Sequence, residues 1–275
     1  MIVVTGATGN VGRPLVRALV AAGEQVTAVS RAVSEADVPA GVRHLRADVA
    51  DPERLKPALD GADALFLLTS GDFTLAGGDV HGVLDAARAG GVRRVVLLSS
   101  QGVGTLRHPP AYEDAVKRSG LEWTVLRPGG FASNAFRWAE TVRATRTVAA
   151  PFGDVALPVI DPDDIAAVAD LALREAGHDG ATYVLTGPDP VSPRQQAAAI
   201  GDAIGEPVGF VEQSEEEART QMLAFMPEQV VEATLAILGS PSPDEQRVSP
   251  DAERVLGRPP RPFAEWAARN AAAFK

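Results

Sequence analysis

Along the first half of the chain, short apolar runs alternate with stretches whose apolar residues recur every three or four positions. Residues 2–4, 25–30, 42–45, 64–68, 92–98 and 122–126 read as six strands. Between them, Val11, Leu15, Val16, Leu19 and Val20 share one helical face until Gly23, and Val80, Val83, Leu84 and Ala87 share another until Gly90-Gly91. Asp51-Pro52 opens a shorter helix, and a further helix covers about residues 112–119.

The apolar runs do not alternate with polar residues, so both faces of each strand require cover. That predicts an α/β fold, a Rossmann-type doubly wound parallel sheet with helices on either side. After Pro128 the pattern loosens. Residues 134–142 look helical, and 147–149 with 155–160 are expected to pair as a short hairpin. Asp161-Pro162 opens a helix whose apolar positions are Ile165, Val168, Ala169 and Ala172, and residues 182–185 form a late strand. Ser192 with Gln195 and Ser214 with Glu217 match capping boxes, while 240–246, rich in proline and polar residues, reads as a surface loop. The expected division is a nucleotide-binding domain over residues 1–155, with strand 181–186 added to its sheet. Residues 156–275 then form a smaller, mainly helical C-terminal lobe that caps a substrate site.

Composition narrows the function. With 275 residues, 45% hydrophobic and 23% charged, the chain affords a large core. A net charge of −10 opposes nucleic acid and anionic membranes as partners. The absence of cysteine excludes disulfides, iron–sulfur clusters and thiolate chemistry. Strand-like residues begin at Ile2, and no apolar run approaches the ~20 residues of a bilayer span. The expectation is a soluble, cytoplasmic protein acting on a small molecule.

The segment from Val4 to Gly12, V-T-G-A-T-G-N-V-G, follows the first strand and opens the first helix. In this G-x-x-G-x-x-G spacing, Gly6 permits the turn, Gly9 lets backbone approach a pyrophosphate, and Gly12 allows close helix–strand packing. Amides at the helix start then face the diphosphate. An NAD site would place Asp or Glu at the end of the second strand. Ser30 and Arg31 stand there instead, and suit a 2′-phosphate, so NADP(H) is favoured over NAD(H).

Together with Ala47-Asp48-Val49, Leu68-Thr69-Ser70, Ser99-Ser100 and the segment from Thr124 to Gly129, T-V-L-R-P-G, the loop resembles the NmrA-like branch of the atypical short-chain dehydrogenase/reductases. That branch includes NAD(P)H:quinone oxidoreductases, triphenylmethane reductases and redox-sensing regulators. The resemblance implies that Gly6, Thr8, Gly9, Asn10 and Val11 hold the pyrophosphate and Arg31 the 2′-phosphate. Asp48 and Val49 would meet the adenine, although Asp48 also reads as a turn cap. Thr69, Ser70 and Ser99 would line the ribose and nicotinamide path, with Pro128 backing the ring.

Typical short-chain reductases use a Tyr-x-x-x-Lys pair for proton transfer. The two tyrosines here, Tyr112 and Tyr183, have Val116 and Gly187 four residues on. Lys117 follows Tyr112 by five, about 100° further round a helix than the four-residue step. Against the family pattern, the pair's positions fall near Thr105 and Pro109. The resulting expectation is an NADPH-dependent oxidoreductase that passes hydride to a quinone-like or conjugated molecule without that dyad. The alternative is a non-catalytic NADP(H)-binding sensor with a protein partner. His108 is the most attractive substitute proton donor, with Ser100 and Tyr112 behind it, although a lone loop histidine is usually a solvated side chain and a hydroxyl near a strand end most often a cap or turn partner. Phe131, Asn134, Trp138 and Phe225 are expected to line the substrate pocket with Gly129, Gly130, Phe152, Leu223 and Met226, or to form inter-lobe core. The acidic clusters Asp161, Asp163, Asp164 and Glu215, Glu216, Glu217 sit in first helical turns and read as caps rather than metal ligands.

Overall fold

The six predicted strands form, and a seventh joins them. In the computed structural model, which describes residues 1–69, 73 and 78–275, these are β1 (Ile2–Thr5), β2 (Val26–Ser30), β3 (Arg43–Arg46), β4 (Ala64–Leu68), β5 (Arg94–Leu98), β6 (Glu122–Pro128) and, later in the chain, β8 (Ala181–Leu185). β7 (Thr147–Ala150) and β9 (Gly209–Glu212) lie outside this sheet. The sheet order is β3-β2-β1-β4-β5-β6-β8, every pair parallel. The order reverses beside β1, so the chain forms a Rossmann-type fold with its switch point at the carboxyl end of β1.

Both faces are covered. Ile2, Val4, Phe66, Val96 and Leu98 face the helices Gly12–Ala21 and Pro162–Arg174. Val3, Leu65, Leu67, Val95 and Leu97 face Pro52–Leu59, Val80–Ala89 and Ala111–Lys117. Neighbouring strand residues serve opposite cores, which is why the runs are apolar throughout rather than alternating.

A third core, built by Trp138, Val142, Val148, Ile200, Phe263, Trp266 and Phe274, forms the lobe above the strand ends. A fourth joins the helices Glu215–Leu223 and Glu228–Gly239 through Ala218, Met222, Val231 and Leu235. These cores do not follow a single cut at residue 155. Ala132 to Ala150 contribute to the upper lobe, whereas Pro162–Arg174 packs under the sheet.

Three local expectations are corrected. β7 pairs in parallel with β9 rather than as a hairpin with 155–160. The chain leaves β7 through Phe152 at φ 55°, and Pro158 removes a ladder donor, leaving only the isolated bridges Phe131–Ile160 and Leu157–Val191. Residues 134–142 divide into a 3₁₀ segment, Ala132–Trp138, and the α-helix Ala139–Thr145. The proline-rich stretch contains a helical turn, Pro243–Gln246, whose Ser242–Glu245 capping box buries Glu245. No helix among the described residues is long and apolar enough to cross a membrane.

Candidate functional site

Because all seven strands run the same way, their carboxyl ends gather Thr8, Ser30, Asp48, Thr69, Ser99 and Pro128 along one edge. Gly6 turns the chain at φ 63°, a conformation costly for residues with a Cβ. A Cβ on Gly12 would meet the Gly6 carbonyl and approach Ala7 Cα to 2.8 Å, so only glycine permits this loop–helix contact. Thr5 Oγ1 accepts from the Leu68 amide at 2.8 Å, tying the loop's base to β4. Among the described residues, the backbone amides of Thr8, Asn10 and Val11 have no protein acceptor. Donors left open at a helix start fit a diphosphate.

Thr8 and Ser30 hydroxyls lie 2.9 Å apart, bringing the loop against the end of β2. Arg31 follows on the exposed surface. Arg13 Nη2 donates to the Thr8 carbonyl at 3.3 Å and lies 3.9 Å from Asp37, so its charge is partly engaged. Asp48 is exposed and accepts from the Ala50 amide at 3.0 Å, the turn-cap geometry read from its sequence context. Val49 is half-buried against the second core, and Thr69 is half-buried. Ser70 lies outside the described residues.

At the β5 and β6 ends the organising group is Glu113. It is 1% exposed, accepts from Ser99 Oγ at 2.7 Å, and is paired with Arg127 and Lys117. Burial pushes its carboxyl up, but the hydrogen bonds from Arg127, Ser99 and Lys117 outweigh that and hold it below its ordinary value. Ser99, placed on the nicotinamide path by the resemblance, is thereby fixed in orientation. Ser100 caps the turn Gln101–Gly104 by accepting from the Gly102 amide. Pro128 is buried, and Gly129 beyond it donates to the Leu185 carbonyl at 2.9 Å.

Among the described residues, both tyrosines have partners other than lysine. The Tyr112 ring packs edge-on to Phe73 at 5.5 Å, Tyr183 bonds His178 at 2.9 Å, and Lys117 is taken by Glu113. Thr105 instead donates to Glu245 at 3.0 Å, while Pro109 and His108 are exposed. Glu245 is a clamp that the sequence pattern did not disclose. It also accepts from Arg107 Nε at 3.0 Å, and Gln101 Nε2 reaches the Asp244 carbonyl at 3.1 Å. The loop after β5 is thus pinned to residues 242–245 of the upper lobe.

Beside β6, a cavity of about 320 Å³ opens between the lobe's cores. Asn134, Trp138 and Phe225 line it as expected, with Gly130 and Phe152. Phe131 does not; its side chain packs against the core under the sheet. Met222 lines the wall rather than Leu223, which is one step or about 100° round the helix, while Met226, beyond the helix end, packs against the fourth core. Arg137 also lines the cavity, unforeseen, its only sequence signal being a lone cation between Phe136 and Trp138.

The acidic clusters have protein partners. Asp161 accepts from the Asp163 amide at 3.0 Å, Arg269 reaches both Asp161 and Asp163, and Asp164 receives Arg258 and Arg261. Burial pushes the Asp161 carboxyl up against the opposing pull of the Asp163 amide and Arg269. Glu217 completes the Ser214 capping box.

Residues 6–176 match the model of a family described as NAD(P)H-binding. Over its full length the chain is 38% identical to a (4-alkanoyl-5-oxo-2,5-dihydrofuran-3-yl)methyl phosphate reductase of Streptomyces griseus subsp. griseus, covering 99% of that protein. It is 34% identical to an NAD(P)H azoreductase of Xenophilus azovorans, again across 100% of this chain and 99% of the relative. The NADPH complex of an NADPH-dependent quinone oxidoreductase from Escherichia coli superposes with a TM-score of 0.81 at 25% identity, covering 98% of this chain and 99% of that one. The cradle at Gly6–Gly12 and these likenesses agree: the chain belongs to the NAD(P)H-binding family as an NmrA-like atypical short-chain dehydrogenase/reductase, an NAD(P)H-dependent oxidoreductase.

Proposed function

We propose that the protein is an NADPH-dependent reductase that delivers hydride to a flat, conjugated, quinone-like small molecule held in the cavity beside β6. One observation carries the reading: Asn10 of the phosphate loop donates to Ser133 Oγ at 3.1 Å, and Ser133 belongs to the segment Ala132–Trp138, whose Asn134 and Trp138 line the cavity. Cofactor cradle and substrate wall are therefore one hydrogen-bonded unit, as direct transfer requires.

A bound dinucleotide would supply two electrons as hydride. The residues that would hold it are Gly6, Thr8, Gly9, Asn10, Val11 and Gly12 at the diphosphate, Ser30 and Arg31 at the 2′-phosphate, and Asp48 and Val49 at the adenine. By the family resemblance, Thr69, Ser70 and Ser99 would line the path to Pro128. An electron-poor acceptor takes hydride at carbon and a proton from solvent, so a Tyr–Lys pair is dispensable. The substrates in the three relatives' names, an acyl furanone phosphate, azo compounds and quinones, are all conjugated, which supports this acceptor class.

The test is titration with NADPH and NADH, then steady-state turnover with a quinone and enone panel. Tighter NADPH binding with oxidation by at least one acceptor is expected. Tight binding with no oxidation by any acceptor would favour the non-catalytic sensor and its protein partner.

A further inference from the structure

Arginines in this structure are mostly engaged: Arg127 by Glu113, Arg107 by Glu245, Arg174 by Asp170, Arg269 by Asp161 and Asp163. Arg137 differs. Among the described residues it has neither a carboxylate nor a carbonyl partner, and its one recorded contact is the Trp138 ring, 5.0 Å from the guanidinium carbon. Arg137 is exposed, and part of its surface lines the cavity, so a ligand held there can reach it. Neighbouring protein atoms still cost the guanidinium some solvation, which pushes its pKa down, and a paired anion would offset that cost. Arginine nevertheless remains charged at neutral pH.

The surroundings sharpen the case. No carboxylate, and no other charged side chain, occurs among the described residues lining the cavity. The polar groups there are amides and a hydroxyl, including Asn134, Gln196 and Gln221, and the rest is apolar or aromatic. In a protein of net charge −10, an anion has to be drawn in by a local cation. Arg137 also lies four residues beyond Ser133 on the same 3₁₀ segment, about 8 Å along its axis at ~2 Å rise per residue. A conjugated ring could therefore lie between the loop side and the guanidinium.

We propose that Arg137 is the specificity residue of this cavity, pairing with an oxyanion substituent, a phosphate monoester or a carboxylate, on the conjugated molecule reduced there. The planar fork of donors suits two oxygens of either group at once. This inference rests on the cavity being the substrate site proposed above, and it adds the charge of the substrate.

The experiment measures binding directly, on protein saturated with NADPH. Phenyl phosphate, benzoate and neutral benzyl alcohol are titrated calorimetrically into the wild type, Arg137→Met and Arg137→Lys. At least one anion is expected to bind the wild type tenfold or more tighter than benzyl alcohol, and the tighter of the two names the oxyanion. Arg137→Met should abolish the preference and Arg137→Lys keep part of it, with NADPH affinity unchanged in both. Equal binding of all three probes by the wild type, or a preference that survives in Arg137→Met, overturns the proposal. Thermal melting of each variant identifies a folding failure, in which case the wild-type ranking and Arg137→Lys decide. Absence of NADPH binding by the wild type would instead sink the reductase reading, so the two failures are distinct.

Discussion

Arg127, in the last turn of β6 before Pro128, donates from Nε at 2.8 Å and from Nη2 at 2.6 Å to the two oxygens of Glu113. This bidentate pair joins a strand to the helix behind it, and the same carboxylate orients Ser99. The Glu113 side chain is 1% exposed and that of Arg127 21%. Glu113→Ala would leave Arg127 and Lys117 without their partner. A loss of about 3 kcal/mol, the lower end for breaking a buried pair, is expected in denaturant unfolding because Arg127 is partly solvated. Glu113→Gln should lose less.

Acid should expose the same pair. Both Glu113 and Glu245 have carboxyls held below their ordinary value, although burial works in the opposite direction in each. The unfolded chain therefore binds these protons at a higher pH than the folded one. Their contribution is fully present above the unfolded glutamate value, ~4.3, and disappears as pH falls through the folded values. Unfolding free energy measured from pH 6 to pH 3 should fall less steeply for Glu113→Gln or Glu245→Gln than for the wild type. Parallel curves would contradict the assignment.

Glu245 also ties the loop after β5 to the upper lobe through Thr105 and Arg107. Glu245→Ala is expected to free residues 101–108, which should appear as faster amide hydrogen exchange confined to that loop and to 240–246. The phosphate loop should exchange as before. Uniformly faster exchange would mean that the clamp is part of the global fold rather than a local tie.

The proposed NADPH preference is tested at Arg31. Replacement by Asp should weaken NADPH binding about 10–100-fold, the worth of a charge-assisted contact, while changing NADH binding much less. Fluorescence titration of both cofactors checks this, and an unchanged ratio would remove Arg31 from the 2′-phosphate site.

Gly12→Ala should abolish binding of both dinucleotides. Its Cβ would strike the backbone of Gly6 and Ala7, which cannot yield as a flexible side chain could. Near-normal affinity in that variant would show that the loop can open at little cost.

The pattern of residues was sufficient for the sheet and its phosphate loop, since both depend on neighbours in the chain. Strand runs and the Gly6–Gly9–Gly12 spacing specify backbone conformation within a few residues, and so do the caps Asp161, Ser192 and Ser214. Pairing between distant segments has no such local signature. β7 found β9 sixty residues on, Glu245 became the partner of Arg107, and Met222 rather than Leu223 turned toward the cavity. Arg137 shows the difference most plainly: in the sequence it is one of 26 cations, and only the packing of the upper lobe places it at a cavity with no carboxylate among the described lining residues. Tertiary structure decided these points because burial and electrostatics depend on distance through space, which spacing along the chain does not record.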